Sequence, residues 1–357
     1  MKRRWLKRAG IILGAALGTI IVAGVFLLWW LNFHPDEIEE AEVTCRNDPD
    51  RLSKDTKLEL LCWNIQYAAS RNYHFFYDGG KDVRVRRRDV EVTLRRMAKL
   101  IRELSPDVLM LQEVDRGSDR THRIDEIFRL VNSASASCWA TATYHWSRYV
   151  PAPLHSPMGK VHTDLVTASR FRIAEATRRS LPLLDEIFIR RAFNLKRAVL
   201  EAHLPIEGSE KPLVVLNTHL SAFSFGDGTL ARQVRKLLKR LEELDRKGWP
   251  WILAGDFNML PPGEDPSRLE DDTVHYPRRP NPIAKLYERY TPAVTLEDYR
   301  KKPRRYYTYL PYGATEPDRK IDYVFASDRV RIHSARVIKS DRPPSDHLPL
   351  VVTASVR

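Results

Sequence analysis

Short apolar runs that each end in an acid, an amide or an imidazole recur along this chain, and they narrow its fold more than any other feature. The sharpest is Leu253-Ala254-Gly255-Asp256-Phe257-Asn258, which continues Trp249-Pro250-Trp251-Ile252 and opens into a prolyl turn at Pro261-Pro262. A run this short and apolar reads as a buried strand, and residues two apart on a strand point to the same side. Asp256 and Asn258 are therefore presented together at the end of a strand, where an α/β sheet usually places its ligand groups. Gly, Asp and Asn also favour plain turns, so this stretch does not decide the matter alone. Others behave alike. Leu58–Ile65 carries Asn64 and is followed by Gln66; Val108–Leu111 delivers Gln112 and Glu113; Leu213–His219 ends in Asn217-Thr218-His219. Ile321–Ala326 carries Asp322, and Ser345-Asp346-His347 stands just before a last strand, Leu348–Ala354. Buried strands have no structural need of terminal carboxylates and imidazoles, which are costly to bury unless paired.

The chain has 357 residues, 43% hydrophobic, which is enough for one large α/β domain or two small ones and too apolar for wholesale disorder. Its formal net charge is +13; Lys2, Arg3, Arg4, Lys7 and Arg8 contribute, and the rest is still basic. That balance suits phosphate-bearing partners such as nucleic acid, phosphoinositides or an anionic membrane face, although solubility alone would also account for it.

Residues 1–8 form a basic start, and residues 9–33 read as a transmembrane signal-anchor. No charge occurs from Ala9 to Leu31, a stretch long enough as helix to cross a hydrocarbon core of roughly 30 Å. Trp29 and Trp30 stand where an interfacial aromatic belt belongs, and acidic Asp36, Glu37, Glu39 and Glu40 follow. This order places the N-terminus in the cytoplasm and the bulk of the chain outside it. Trp-Trp-Leu-Asn-Phe-His is a poor cleavage context, which favours an uncleaved anchor over a signal peptide. Residues 34–57 read as a polar linker, a short tether to a domain spanning 58–357.

Three cysteines do not make a disulfide scaffold. Cys62 reads as a buried thiol, and a Cys45–Cys138 bridge is an open option outside the cytoplasm. The lack of any Asn-x-Ser/Thr sequon favours a bacterial envelope over a secretory pathway. Two amphipathic helices stand out: Val90, Leu94, Met97, Ile101 and Leu104 share one face ahead of Ser105-Pro106, and Leu230 to Leu244 repeats the pattern. Arg123 to Val131 reads as helix, and Asp227 with Thr229 as a turn and helix cap. Leu165–Ser169, Arg197–Leu204 and Val330–Ile338 read as further strands. The basic, Tyr-rich stretch from Arg278 to Tyr312 reads as a surface excursion, suited to stacking bases or lying against head groups.

Taken together, Trp63-Asn64-Ile65-Gln66, Leu111-Gln112-Glu113-Val114-Asp115, Asn217-Thr218-His219-Leu220, Gly255-Asp256-Phe257-Asn258, Ile321-Asp322-Tyr323-Val324 and Ser345-Asp346-His347 resemble the endonuclease/exonuclease/phosphatase superfamily. The resemblance runs from about Leu58 to the C-terminus. It implies an α+β fold, a four-layer α/β/β/α sandwich of two packed mixed sheets. It also implies a phosphoesterase using Mg2+, with Mn2+ as a substitute ion, held by Glu113, Asn64 and Asp346. Asp256 would activate the attacking water, Asn258 would bond a phosphoryl oxygen, and His347, oriented by Asp322, would contact the phosphate. His219 would protonate or stabilise the leaving oxygen.

The substrate is then a phosphate ester, either nucleic acid or a phospholipid head group, and the sequence indicates no protein partner. A phosphodiesterase is the leading reading. Alternatives are a sphingomyelinase- or phospholipase C-like head-group hydrolase, a phosphomonoesterase, or an inactive membrane-tethered binding module. Tyr323 after Asp322 departs from the arginine of inositol phosphatases. Phe75-Phe76-Tyr77 is the nearest counterpart to the membrane-inserting aromatic hairpin of secreted sphingomyelinases.

Overall fold

The computed structural model describes residues 2–222, 224, 226–269, 276 and 281–357. Its elements begin with α1 (Lys2–Leu31), β1 (Ile38–Glu40), β2 (Glu42–Cys45), β3 (Leu58–Asn64), α2 (Arg87–Leu104), β4 (Val108–Asp115) and α3 (Glu126–Ser133). There follow β5 (Cys138–Val150), β6 (Gly159–Ser169), β7 (Glu175–Ser180), α4 (Phe188–Phe193), β8 (Ala198–Leu204), β9 (Leu213–His219) and α5 (Thr229–Lys247). The chain closes with β10 (Trp251–Asp256), α6 (Ala284–Arg289), β11 (Thr291–Pro292), α7 (Leu296–Lys301), β12 (Asp322–Ala326), β13 (Val330–Val337) and β14 (Leu350–Val356).

These strands form two seven-stranded sheets, ordered β1-β7-β8-β9-β10-β12-β11 and β13-β14-β3-β4-β6-β5-β2. Both are mixed, since β9 runs parallel to β10 and β3 to β4 among antiparallel neighbours. The central strands read as unbroken apolar runs because both of their faces are covered. On β3, Leu60 and Cys62 enter the core between the sheets, while Leu61 and Trp63 pack outward with Val90, Leu94 and Met97 of α2. On β10, Ile252 and Ala254 point inward, while Trp251 and Leu253 meet Val234, Leu237 and Leu241 of α5. The four-layer sandwich follows from this alternation.

Helix ends match their local chemistry. Ser105, at φ 45, closes α2 with its N–H on the Ile101 carbonyl. Gly228 is the N-cap of α5, and the Asp227 carboxylate before it accepts from the Thr229 N–H at 2.7 Å, so of the turn and cap expected from the sequence Asp227 supplies the turn. Cys45 and Cys138 are register partners on β2 and β5 and form a disulfide, while Cys62 is a buried free thiol.

Three expectations need correction. Residues 34–57 are not simply a tether: β1 pairs with β7 and β2 with β5, so this segment supplies one edge strand to each sheet. The Arg278–Tyr312 excursion, whose residues 278–280 lie outside the described set, is largely docked structure. There Leu286 and Tyr299 are buried and β11 extends a sheet beside β12. Phe75 is buried, packed edge-on to Tyr67, and Phe76 is half-buried, so of Phe75-Phe76-Tyr77 only Tyr77 is exposed.

One polar cross-link ties the sheets together. Asn217 on β9 donates through Nδ2 to the Leu111 and Val166 carbonyls at 3.0 and 2.9 Å, and Gln112 Nε2 on β4 donates to Asn217 Oδ1 at 2.7 Å. Both side chains are fully buried. Asn217→Ala would leave three buried groups without these partners, each worth about 1–3 kcal/mol. Urea unfolding is expected to show a loss of at least about 2 kcal/mol, and a loss under about 1 kcal/mol would contradict the cross-link. Thiol titration of the unfolded, unreduced chain is expected to count only Cys62.

Candidate active site

Three adjacent strands set three of the expected groups in a row. His219 is the register partner of Asp256 across β9 and β10, and Asp256 is that of Asp322 across β10 and β12. Gly255 makes the close approach possible. Its φ is 152°, and a Cβ there would lie 1.9 Å from the Thr218 carbonyl oxygen.

The second sheet supplies the opposite wall, and an irregularity aims its key residue. Leu111 pairs with Val166 and Val114 with Asp164, so Gln112 and Glu113 together oppose Leu165 alone. Such a bulge re-aims a side chain. Glu113 takes φ 56 and lines the cleft while Gln112 stays in the inter-sheet cross-link. His347 arrives on the loop before β14, its carbonyl fixed by Trp63 Nε1 at 2.8 Å.

Asp256 is the hub. Its Oδ2 lies 3.1 Å from Asn64 Nδ2, 3.3 Å from His219 Nε2 and 3.5 Å from His347 Nε2. Its Oδ1 accepts from the Asn258 N–H at 2.9 Å, and the Asn258 carboxamide is held by the Leu220 carbonyl. Asp322 Oδ2 is 2.8 Å from His347 Nδ1, which fixes the ring and leaves Nε2 toward Asp256. His219 Nδ1 stands 3.8 Å from Glu113 Oε1, buried and without a hydrogen-bond partner.

Burial alone would lower the His347 imidazole, but Asp322 and Asp256 outweigh it and hold its pKa well above the ordinary value, so the ring is a cation. Burial drives the other imidazole the opposite way: His219, with Arg197 and His347 adding to the effect, sits well below the ordinary value and is neutral. Burial raises Asp256 to about 7, with His347 opposing and Asp322 adding to the rise. Asp346 rises to about 6 through burial, against His347 and with Glu113. Several carboxylates thus compete for too little positive charge.

That imbalance suits a divalent cation among hard oxygen donors. Asp256, Asp322 and His347 each offer a ligand atom within 4.8 Å of the others and could hold one, but only with His347 deprotonated. His347 already bonds Asp322 and faces Asp256, whereas Glu113 lies outside this trio. The structure departs from expectation at Asn64. Its Oδ1 accepts from the Gln66 N–H at 3.0 Å, while its Nδ2 lies 3.1 Å from both Glu113 Oε1 and Asp256 Oδ2. Asn64 here bridges two acids as a donor and does not present a ligand oxygen.

The row opens into a cleft of about 1120 Å³. Arg197, which no sequence motif singles out, lines it. The residue is 7% exposed, its guanidinium lies 5.6 Å from the Tyr144 ring centroid, and Nη1 has no hydrogen-bond partner. Standing just before the apolar run of β8, it carries no local sign distinguishing it from any arginine at a strand start.

The family profile described as Endonuclease/Exonuclease/phosphatase family matches residues 61–347, a span that holds every group in this row. The chain belongs to the endonuclease/exonuclease/phosphatase family. No curated protein sequence matches significantly. Among solved structures, an endonuclease/exonuclease/phosphatase from Beutenbergia cavernae is similar at 24% identity and TM-score 0.58, over 84% of this chain and 72% of that one. The catalytic domain of human Nocturnin is similar at 17% identity and TM-score 0.54, over 89% and 97%. A family protein from Bacteroides vulgatus follows at 14% and 0.51, over 85% and 100%. Identities this low show a shared fold. Members of this family are metal-dependent phosphoesterases.

The raised acid gives a pH signature in metal-free protein. A carboxyl whose folded pKa exceeds its unfolded value contributes stability that is complete below 3.8 and lost as pH rises through about 7. The raised His347 acts in the same direction, its contribution complete below 6.5 and lost above its folded value. His219, whose pKa is depressed, acts the other way below 6.5, so the acid is read as a difference between two chains in EDTA. Asp256→Asn should remove a fall in melting temperature that runs from 3.8 up to about 7. Parent and Asp256→Asn profiles that stay parallel across this range would count against the buried acid.

Proposed function

We propose that this chain is a membrane-anchored, divalent-metal-dependent phosphodiesterase that cleaves its substrate by in-line attack of an activated water. The observation that carries the reading is the Asp322–His347–Asp256–His219 row, which shares one cleft with Glu113 and with Arg197, whose Nη1 has no hydrogen-bond partner. Glu113 and Asp346 would hold Mg2+, or Mn2+ in its place, and the bound ion would neutralise charge gathering on phosphoryl oxygen.

The protein groups divide the remaining work. Asp322 keeps His347 oriented and cationic, so that its Nε2–H meets a phosphoryl oxygen. Asp256, positioned by Asn64 and the Asn258 backbone, takes the proton of the attacking water. Asn258 presents its carboxamide beside it. Arg197 offers the phosphate a buried Nη1 that has no hydrogen-bond partner. His219, held neutral, is suited to hydrogen-bond the leaving oxygen and not to surrender a proton from an imidazolium. Human Nocturnin's catalytic domain, of the same fold, was solved with a bound sulfate anion, a tetrahedral oxyanion of the same geometry as a phosphate. In this reading α1 is an uncleaved span with its N-terminus cytoplasmic and the catalytic domain on the far face. Its support is a helix long and apolar enough to cross a membrane, with none of its apolar window buried.

The test is hydrolysis of bis(p-nitrophenyl) phosphate by the full chain in detergent with Mg2+. Asp256→Asn and His347→Ala are each expected to lower turnover by about 10²–10⁴. Arg197→Met should raise KM roughly tenfold or more, the worth of a charge-assisted hydrogen bond. If Asp256→Asn and His347→Ala each lose under about tenfold, Asp256 is not the base and His347 is not the phosphate contact.

A further inference from the structure

The cleft has an outer wall whose tips are apolar and turned to solvent. Leu154, on the loop between β5 and β6, is 92% exposed, and Ile187, Phe188 and Ile189, at the start of α4, are 71%, 65% and 57% exposed. Soluble surfaces seldom gather such side chains without a partner. Neighbouring parts of the same two segments, including Val150, Pro151, Leu184 and Phe193, line the cleft itself.

The base of α1 is fixed at the same place. Asn32 bridges to Ser147 on β5, the Ser147 hydroxyl donates to the Leu31 carbonyl at 3.1 Å, and α1 also packs against α4. Arg148 donates to the Trp30 carbonyl at 3.3 Å and lies over the Trp30 and Trp146 rings at 4.6 and 5.2 Å. A helix that leaves the bilayer here sets the exposed apolar tips beside it at the head-group level. Aromatic and basic residues such as Trp29, Trp30, Arg148 and Arg190 form the belt that this level favours. Of the nearby acids, Asp185 pairs with Arg191, and Glu186, which accepts from Asn194, has the Lys196 ammonium near it.

We infer that the loop carrying Leu154 and the segment carrying Phe188 dock on the bilayer that α1 crosses. The phosphodiester cleaved is then that of a phospholipid entering the cleft from that surface. This deepens the proposed phosphodiesterase and rests on α1 being a membrane span.

Two readouts separate these ideas. The full chain is reconstituted in phosphatidylcholine–phosphatidylglycerol vesicles, with an environment-sensitive fluorophore on Phe188→Cys, Leu154→Cys or Glu210→Cys. Glu210 is exposed before β9, at the strand end away from His219. Acyl-chain-brominated lipid is expected to quench the first two probes and spare the third. No quenching at either, or quenching replaced by contact between copies, overturns the docking whatever the activity. In the second readout, the pair Phe188→Glu and Leu154→Glu, neither of which lines the cleft, should lower release of phosphorylated head groups roughly tenfold. Hydrolysis of bis(p-nitrophenyl) phosphate should be unchanged. Equal head-group release by parent and variant overturns the inference, as does nicking of plasmid DNA without any head-group release. Quenched probes with no hydrolysis of the soluble diester would leave the docking standing and defeat the phosphodiesterase reading instead.

Discussion

Two carboxamides, Gln112 and Asn217, hold the sheets in register directly beneath the catalytic row. Most of the contact between the sheets is apolar, and apolar contact is strong but non-directional. Hydrogen bonds to two backbone carbonyls and to each other supply the direction. The site depends on it, because Asn64 and Glu113 come from one sheet and His219, Asp256 and Asp322 from the other. Misplacing reacting groups by about 1 Å can cost 10²-fold in rate. A small rotation between the layers would therefore leave the fold recognisable and the site scattered.

The second constraint is electrostatic. Acids are crowded into a space where burial already penalises their charged forms, and the protein meets this unevenly. Asp322 is neutralised by the His347 cation, Asp256 shares the Asn64 amide with Glu113, and Asp346 has its neighbouring serine. The two imidazoles part company for the same reason. His347 has Asp322 against its Nδ1, while His219 is buried without such a partner, with Arg197 and His347 adding to the effect, and loses its proton. One row thus carries one charged and one neutral ring, as two different jobs require.

The strands and the two long helices were legible because continuous apolar runs and 3.6-residue spacing are local signals. The polar strand ends were legible for a related reason: register across β9, β10 and β12 places the last residues of the strands side by side. Other features depended on distant partners. Nothing near Glu113 announces the bulge that turns it into the cleft, and the amide orientation of Asn64 is set by the Gln66 N–H. Gln112 and Asn217 read as further site groups, yet they fasten the sheets. Arg197 acquires its meaning only from the cleft it enters. The segment from Ile38 to Cys45 is too short and polar to look like strand, and forms one because β7 and β5 each offer an open edge.

That segment has a practical consequence. It passes from the border of one sheet to the border of the other within a few residues, with Ala41 buried between and Cys45 covalently fixed to Cys138. A shortened protein lacking everything before β3 would shed two border strands together. It would leave the backbone amides and carbonyls of β5 and β7 unpaired, the kind of surface on which chains stack into aggregates. A water-soluble version would do better to begin before Ile38, keeping the short piece of chain that closes both sheets at once.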